Sequence, residues 1–82
     1  MSKFQKALDR LEKIPKDFTW QELRTIMSHF GYEELKGGGS ARNFFHSITK
    51  ASVHLHEPHP APILKKYALK IIIDHLSKEK LL

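Results

Sequence analysis

The stretch from Lys36 to Pro62 constrains this chain most. It reads Lys-Gly-Gly-Gly-Ser-Ala-Arg-Asn-Phe-Phe-His, turns at Ile48-Thr49-Lys50-Ala51, and returns through Ser-Val-His-Leu-His to Glu57-Pro58-His59-Pro60-Ala61-Pro62. Two short runs rich in aromatic and β-branched residues, with turn residues between and around them, predict a β-hairpin. Four of the six histidines and three of the four prolines fall inside it. The segments on either side read as helical, so helices form the packing surface for this sheet.

Before the hairpin, Phe4, Ala7, Leu8, Leu11 and Ile14 recur at helical spacing until Pro15, which predicts a first amphipathic helix over about residues 3–14. Thr19-Trp20-Gln21-Glu22 then places a Ser/Thr-type cap three residues before a glutamate, the two halves of a capping box. Phe18 and Leu23 stand where a hydrophobic staple closes. A second helix follows to about Phe30, with Leu23, Ile26, Met27 and Phe30 on its apolar face and Gly31 as its stop. Trp20 reads as a packing residue at the start of that helix rather than a platform for a base. Tyr32 to Lys36 alternates as a short strand, with Tyr32 and Glu34 on one face and Glu33 and Leu35 on the other. After the hairpin, Pro62 suits the first position of a third helix, where its missing N–H costs nothing. Leu64, Tyr67, Ala68, Ile71, Ile72 and either His75 or Leu76 supply its apolar face. The predicted order is helix, helix, strand, strand, strand, helix, an α+β fold.

At 82 residues, 40% of them hydrophobic, the chain is expected to be one domain with a single modest core. It has no cysteine, which excludes a disulfide framework and any cysteine-ligated zinc or iron–sulfur site, and makes a reducing cytosol the simplest home. No apolar run approaches the roughly 18–20 residues that span a bilayer, and the N-terminus lacks the apolar block of a signal peptide. The expectation is a cytoplasmic protein with no membrane contact.

The net charge of +5 is unevenly placed. Residues 1–35 carry six basic and six acidic side chains, and residues 74–82 two of each. All the excess lies between Lys36 and Ile73, where Lys36, Arg42, Lys50, Lys65, Lys66 and Lys70 face only Glu57. Such a stretch is either the footprint of a polyanion partner or a plain lysine-rich surface.

Residue chemistry in the hairpin allows several readings. Gly37-Gly38-Gly39 gives a flexible connection or exposed amides for a phosphate, but the Lys-Ser/Thr ending of a Walker loop is absent. His54 and His56, with His59, offer nitrogens for zinc or copper, yet no cysteine or same-face carboxylate completes a set. Ser40 lacks the Gly-x-Ser-x-Gly elbow of a hydrolase nucleophile. Side chains two apart on a strand share a face. With Phe44, Val53 and Leu55 toward the core, His54 and His56 emerge on the open side near Ala41, Asn43 and Phe45, while His46 points toward the helices. A register slip of one residue would exchange these faces.

Several of these stretches together resemble one known family. Pro15-Lys16-Asp17-Phe18-Thr19-Trp20, Phe30-Gly31-Tyr32-Glu33, Gly39-Ser40 with Phe44 and His46 after it, and Leu55-His56-Glu57-Pro58-His59-Pro60 leading to Leu64-Lys65-Lys66-Tyr67-Ala68-Leu69 are similar in order and spacing to the HicA toxins, over about residues 12–79. The resemblance implies a fold like a double-stranded-RNA-binding domain, with helices on one face of a three-stranded antiparallel sheet. It also implies an RNA partner, cleavage of mRNA as a ribosome-independent interferase, and inhibition by a HicB-like antitoxin. No cofactor is implied. Residues 1–14 would be an added helix on a single HicA-like domain spanning residues 1–82.

One departure stands out. The family's active histidine directly follows the Gly-Ser turn, and here that slot is Ala41. An alanine cannot move a proton, whereas an imidazole is suited to doing so near neutral pH. Either cleavage is weak or lost, or His54 or His56 takes the role; the other outcome is a non-catalytic relative that binds RNA or an antitoxin. The expected RNA contacts are Lys36, Arg42, Lys50, Lys65, Lys66 and Lys70.

Overall fold

The computed structural model of the chain describes residues 2–82. Helix α1 spans Lys3–Glu12, capped by the Ser2 hydroxyl, which accepts from the Gln5 N–H at 3.1 Å. It ends two residues before the apolar spacing does. Ile14 precedes Pro15, a position where steric clash with the proline ring disfavours helical geometry, and it adopts a left-handed φ of 49°. Helix α2 spans Trp20–His29 and opens on the expected capping box: Thr19 Oγ1 accepts from the Glu22 N–H, and the Glu22 carboxylate accepts from the Thr19 N–H. Phe18 and Leu23 are both fully buried beside it. Among the described residues, no helix is long and apolar enough to cross a membrane.

Strands β1 (Tyr32–Lys36), β2 (Ala41–His46) and β3 (Ser52–His56) form one antiparallel sheet in the order β1-β2-β3. The glycine run is the β1–β2 connection, closed by the Gly37 N–H to Ala41 O and the Ala41 N–H to Gly38 O. Gly39 holds a φ of +58°, which its missing Cβ permits. The β2–β3 turn is wider than two residues: the Lys50 N–H reaches back to His46 O, and Lys50 takes a φ of 65°.

Helix α3 spans Lys66–Lys78 and starts later than Pro62. Residues 62–64 are instead extended and pair with the approach to α2: Pro62 O accepts from the Trp20 N–H, Ile63 bridges Thr19, and the Leu64 N–H donates to Phe18 O. The buried face of α3 is Ala68, Leu69, Ile72 and Leu76, while Tyr67 and Ile71 point outward. The run Tyr-Ala-Leu-Lys-Ile-Ile-Ile is apolar nearly all round, so spacing alone favours neither phase. Tertiary packing chose the one that places Leu69 in the core.

All three helices lie on one face of the sheet. There Phe18, Trp20, Leu23, Ile26, Met27, Phe44, Val53, Leu55, Leu69 and Ile72 form a single core. Tyr32 ties β1 to α3 through a 2.7 Å hydrogen bond between its hydroxyl and His75 Nε2. This α+β arrangement is consistent with the double-stranded-RNA-binding-domain class.

Candidate functional site

Among the described residues, the opposite face of the sheet carries no helix. Directly opposed residues of antiparallel strands share a face. The pairs Ala41↔His56, Asn43↔His54 and Phe45↔Ser52 therefore stand together on it, with Leu35 across from Asn43 on the β1 side. Val53 and Leu55 are buried between the exposed Ser52, His54 and His56, so β3 alternates core and site residue by residue. Leu35, Lys36, Gly37, Ala41, Asn43, His54 and His56 line a shallow hollow of about 380 Å³. Asn43 Oδ1 is buried there without a hydrogen-bond partner. A larger hollow of about 600 Å³ lies on the helix side, but its charged walls Arg24 and Glu34 are bonded to each other, and none of the hairpin's histidines reaches it.

His56 has the richest surroundings. Its Nδ1 lies 3.3 Å from Ser40 Oγ, and its neighbour across the strand pair is Ala41. It also walls a second groove of about 190 Å³, which continues past His59 to Lys65 and Tyr67 at the start of α3. Gly37 faces Ala41 so closely that a Cβ built on Gly37 would lie 3.2 Å from the alanine methyl. The absent side chain at Gly37 thus leaves lateral room for whatever occupies position 41.

His46 belongs to the other face. Its ring meets Tyr32 edge-on, with centroids 5.3 Å apart, and its Nδ1 accepts from the Ile48 and Thr49 N–H groups at 3.2 Å. It is a brace for the β2–β3 turn. Gly31, with φ +91°, lets this ring approach, since a Cβ there would lie 2.9 Å from His46 Nε2. Among the described residues, no three His, Asp or Glu side chains are gathered where they could hold a metal ion, so His54, His56 and His59 do not converge.

The basic stretch divides in two. Arg42 sits on the helix side with only 12% of its side chain exposed, donating to Glu57 Oε1 at 3.1 Å, to Gly39 O and to Ala41 O, with Glu34 3.7 Å away. Its charge is thus engaged inside the fold, fastening the glycine turn to the end of β3, although Arg42 also contributes to the lining of the open-face hollow. Glu57, the one acid in the stretch, is neutralised by the same pair. The net charge therefore rests on Lys36, Lys50, Lys65, Lys66 and Lys70, all exposed and, among the described residues, in no ion pair. Lys50 Nζ lies 5.9 Å from the Phe45 ring centroid at one end of the open face. Lys65 lines the His56 groove, and Lys66 follows it in the chain. Sequence reasoning passed over Tyr67, which it placed in the core; its position inside Lys65-Lys66-Tyr67 was the available signal that it could face outward.

The chain is thus a three-helix, three-strand domain of the α+β class, with His54 and His56 on the bare face of its sheet. Within that class, the profile of the HicA toxins of bacterial toxin–antitoxin systems matches residues 20–77, and the chain belongs to this family. Helix α1 lies outside the matched residues, yet contributes Ala7 and Leu11 to the core and stacks Phe4 on His29 at 3.6 Å. Comparison with curated proteins and with solved structures gives no significant match.

Proposed function

We propose that the chain is an RNA-binding HicA-type toxin that acts on mRNA in the cytoplasm and is restrained by a HicB-like antitoxin. In this reading it cleaves with weak or altered chemistry, because Ala41 fills the slot of the family's histidine. The observation that carries it is that His54 and His56 share the uncovered face of a chain whose excess charge rests on five exposed lysines in no ion pair among the described residues.

Two imidazoles at i and i+2 of a strand are separated by about 7 Å along the backbone, a span that can bracket one phosphodiester. One accepts the proton of a 2′-hydroxyl as its oxygen attacks the neighbouring phosphorus. The other donates a proton to the departing 5′-oxygen, leaving a 2′,3′-cyclic phosphate and a free 5′-hydroxyl. His56 is the better placed of the two, since Ser40 Oγ within 3.3 Å of Nδ1 can hold its ring in one orientation.

The emptied slot at Ala41 favours one second reading, a non-catalytic relative that grips RNA or the antitoxin without cutting. Expression of the chain alone in bacteria, beside His54→Ala/His56→Ala, separates the two. Growth arrest that depends on the histidines supports the ribonuclease, and arrest that survives their loss supports the binder. Absence of arrest together with absence of RNA binding by the purified chain would remove both.

A further inference from the structure

The groove that leaves the open face at His56 has a built end. Tyr67 is 65% exposed, and it shares its side of α3 with Lys70 at i+3 and Ile71, 44% exposed, at i+4. Lys65 and Lys66 precede it. The buried stripe of α3 runs through Ala68, Leu69 and Ile72 without Tyr67, which leaves its ring available to a partner. The ring makes no hydrogen bond among the described residues. An apolar ring with an apolar neighbour, next to lysines in the chain and joined by a groove to His56, matches a nucleotide strand: the π-face takes a base and the ammonium groups take phosphates.

We propose that Tyr67 is the stacking platform for one unpaired base of the RNA whose backbone passes His56, so that the site selects single-stranded over duplex RNA. This rests on the RNA-binding reading above. In an A-form duplex the bases are stacked on one another and the protein meets 2′-hydroxyls and phosphates, so no ring face is free for Tyr67. The fold class alone would suggest a duplex reader; an outward aromatic next to the groove argues for an unpaired strand.

The test is binding of a short fluorescent oligouridylate, and of an RNA duplex of equal length, to the unmodified chain, Tyr67→Ala, Tyr67→Phe and Lys65→Glu/Lys66→Glu at low ionic strength. Tyr67→Ala is expected to weaken oligouridylate binding roughly 5- to 100-fold, the loss of one stacked base. Tyr67→Phe should retain it, duplex binding should not respond to either change, and the far-UV circular dichroism of all variants should match. Equal oligouridylate affinity for the unmodified chain and Tyr67→Ala, with Lys65→Glu/Lys66→Glu still weakened, overturns the platform and leaves the RNA-binding reading standing. Loss of antitoxin binding in Tyr67→Ala with RNA binding intact assigns this face to a protein partner and likewise overturns it. Failure of the unmodified chain to bind either RNA overturns the RNA-binding reading itself.

Discussion

Ala41 and His56 face each other across the β2–β3 pair on the bare side of the sheet, with Gly37 leaving space beside the alanine methyl. An imidazole at position 41 would therefore stand about 5 Å, Cβ to Cβ, from the one already present. Ala41→His is expected to raise RNA cleavage by up to about 10²–10⁴-fold, the usual worth of a positioned general acid or base. Melting should change little, because the new ring projects from the open face. Side-by-side cleavage of one RNA by the two purified proteins decides it; no gain would favour the binding reading.

Residual cleavage by the unmodified chain should depend on His54 and His56 and not on His46. His46→Ala should instead loosen the β2–β3 turn, since its ring accepts from Ile48 and Thr49 and rests on Tyr32. The expected signature is a loss of about 1–2 kcal/mol in denaturant melts from those bonds, with the cleavage rate of the folded fraction preserved. Cleavage abolished by His46→Ala at unchanged stability would reverse the assignment.

Charge reversal at Lys65 and Lys66 should weaken RNA binding and flatten its salt dependence, because each lost phosphate contact removes a share of counterion release. Arg42→Ala should behave differently. It leaves Glu57 and the Gly39 carbonyl without their partner, while the Ala41 carbonyl keeps the Gly37 N–H, so the expected result is about 1.5–3 kcal/mol of lost stability rather than a change in salt slope. Fluorescence titrations across salt, paired with melts, distinguish the two behaviours.

Glu34 should govern part of the acid sensitivity. Burial pushes its carboxyl up, but the hydrogen bond and charge of Arg24, the Trp20 indole N–H and the charge of Arg42 together more than offset this and hold it below the ordinary carboxylate value. A folded-state pKa below the unfolded one gives stability that is complete above the unfolded value, about 4.3, and is lost as pH falls through the folded one. Glu34→Gln is expected to cost about 1–2 kcal/mol at neutral pH, the low end for a charged hydrogen bond with a half-exposed partner, and to make the acid decline shallower. Thermal melts from neutral pH to about pH 3 check this; parallel acid profiles for both proteins would place the sensitivity elsewhere.

Local chemistry made much of the fold legible. Thr19 and Glu22 announce the start of α2 because the cap needs only four adjacent residues, and the alternation of Val53 and Leu55 with His54 and His56 sets the faces of β3 once Phe44 is known to be inside. What was not legible depends on distant partners. Pro62 fits a helix start, but its carbonyl is taken by Trp20, 42 positions earlier in the chain. Arg42 reads as a free cation until Glu34, Glu57 and two turn carbonyls are brought around it. The outward turn of Tyr67 required knowing which side of α3 the core claims.

The interleaving of core and site along β3 limits how this protein can change over generations. Single substitutions at Ser52, His54 or His56 can change the bare face while Val53 and Leu55 keep their places, at little structural cost. Insertion or deletion of one residue within the strand is another matter. It would turn the histidines into the core and the aliphatic residues into water, so along β3 heritable change is confined to spelling and barred from length.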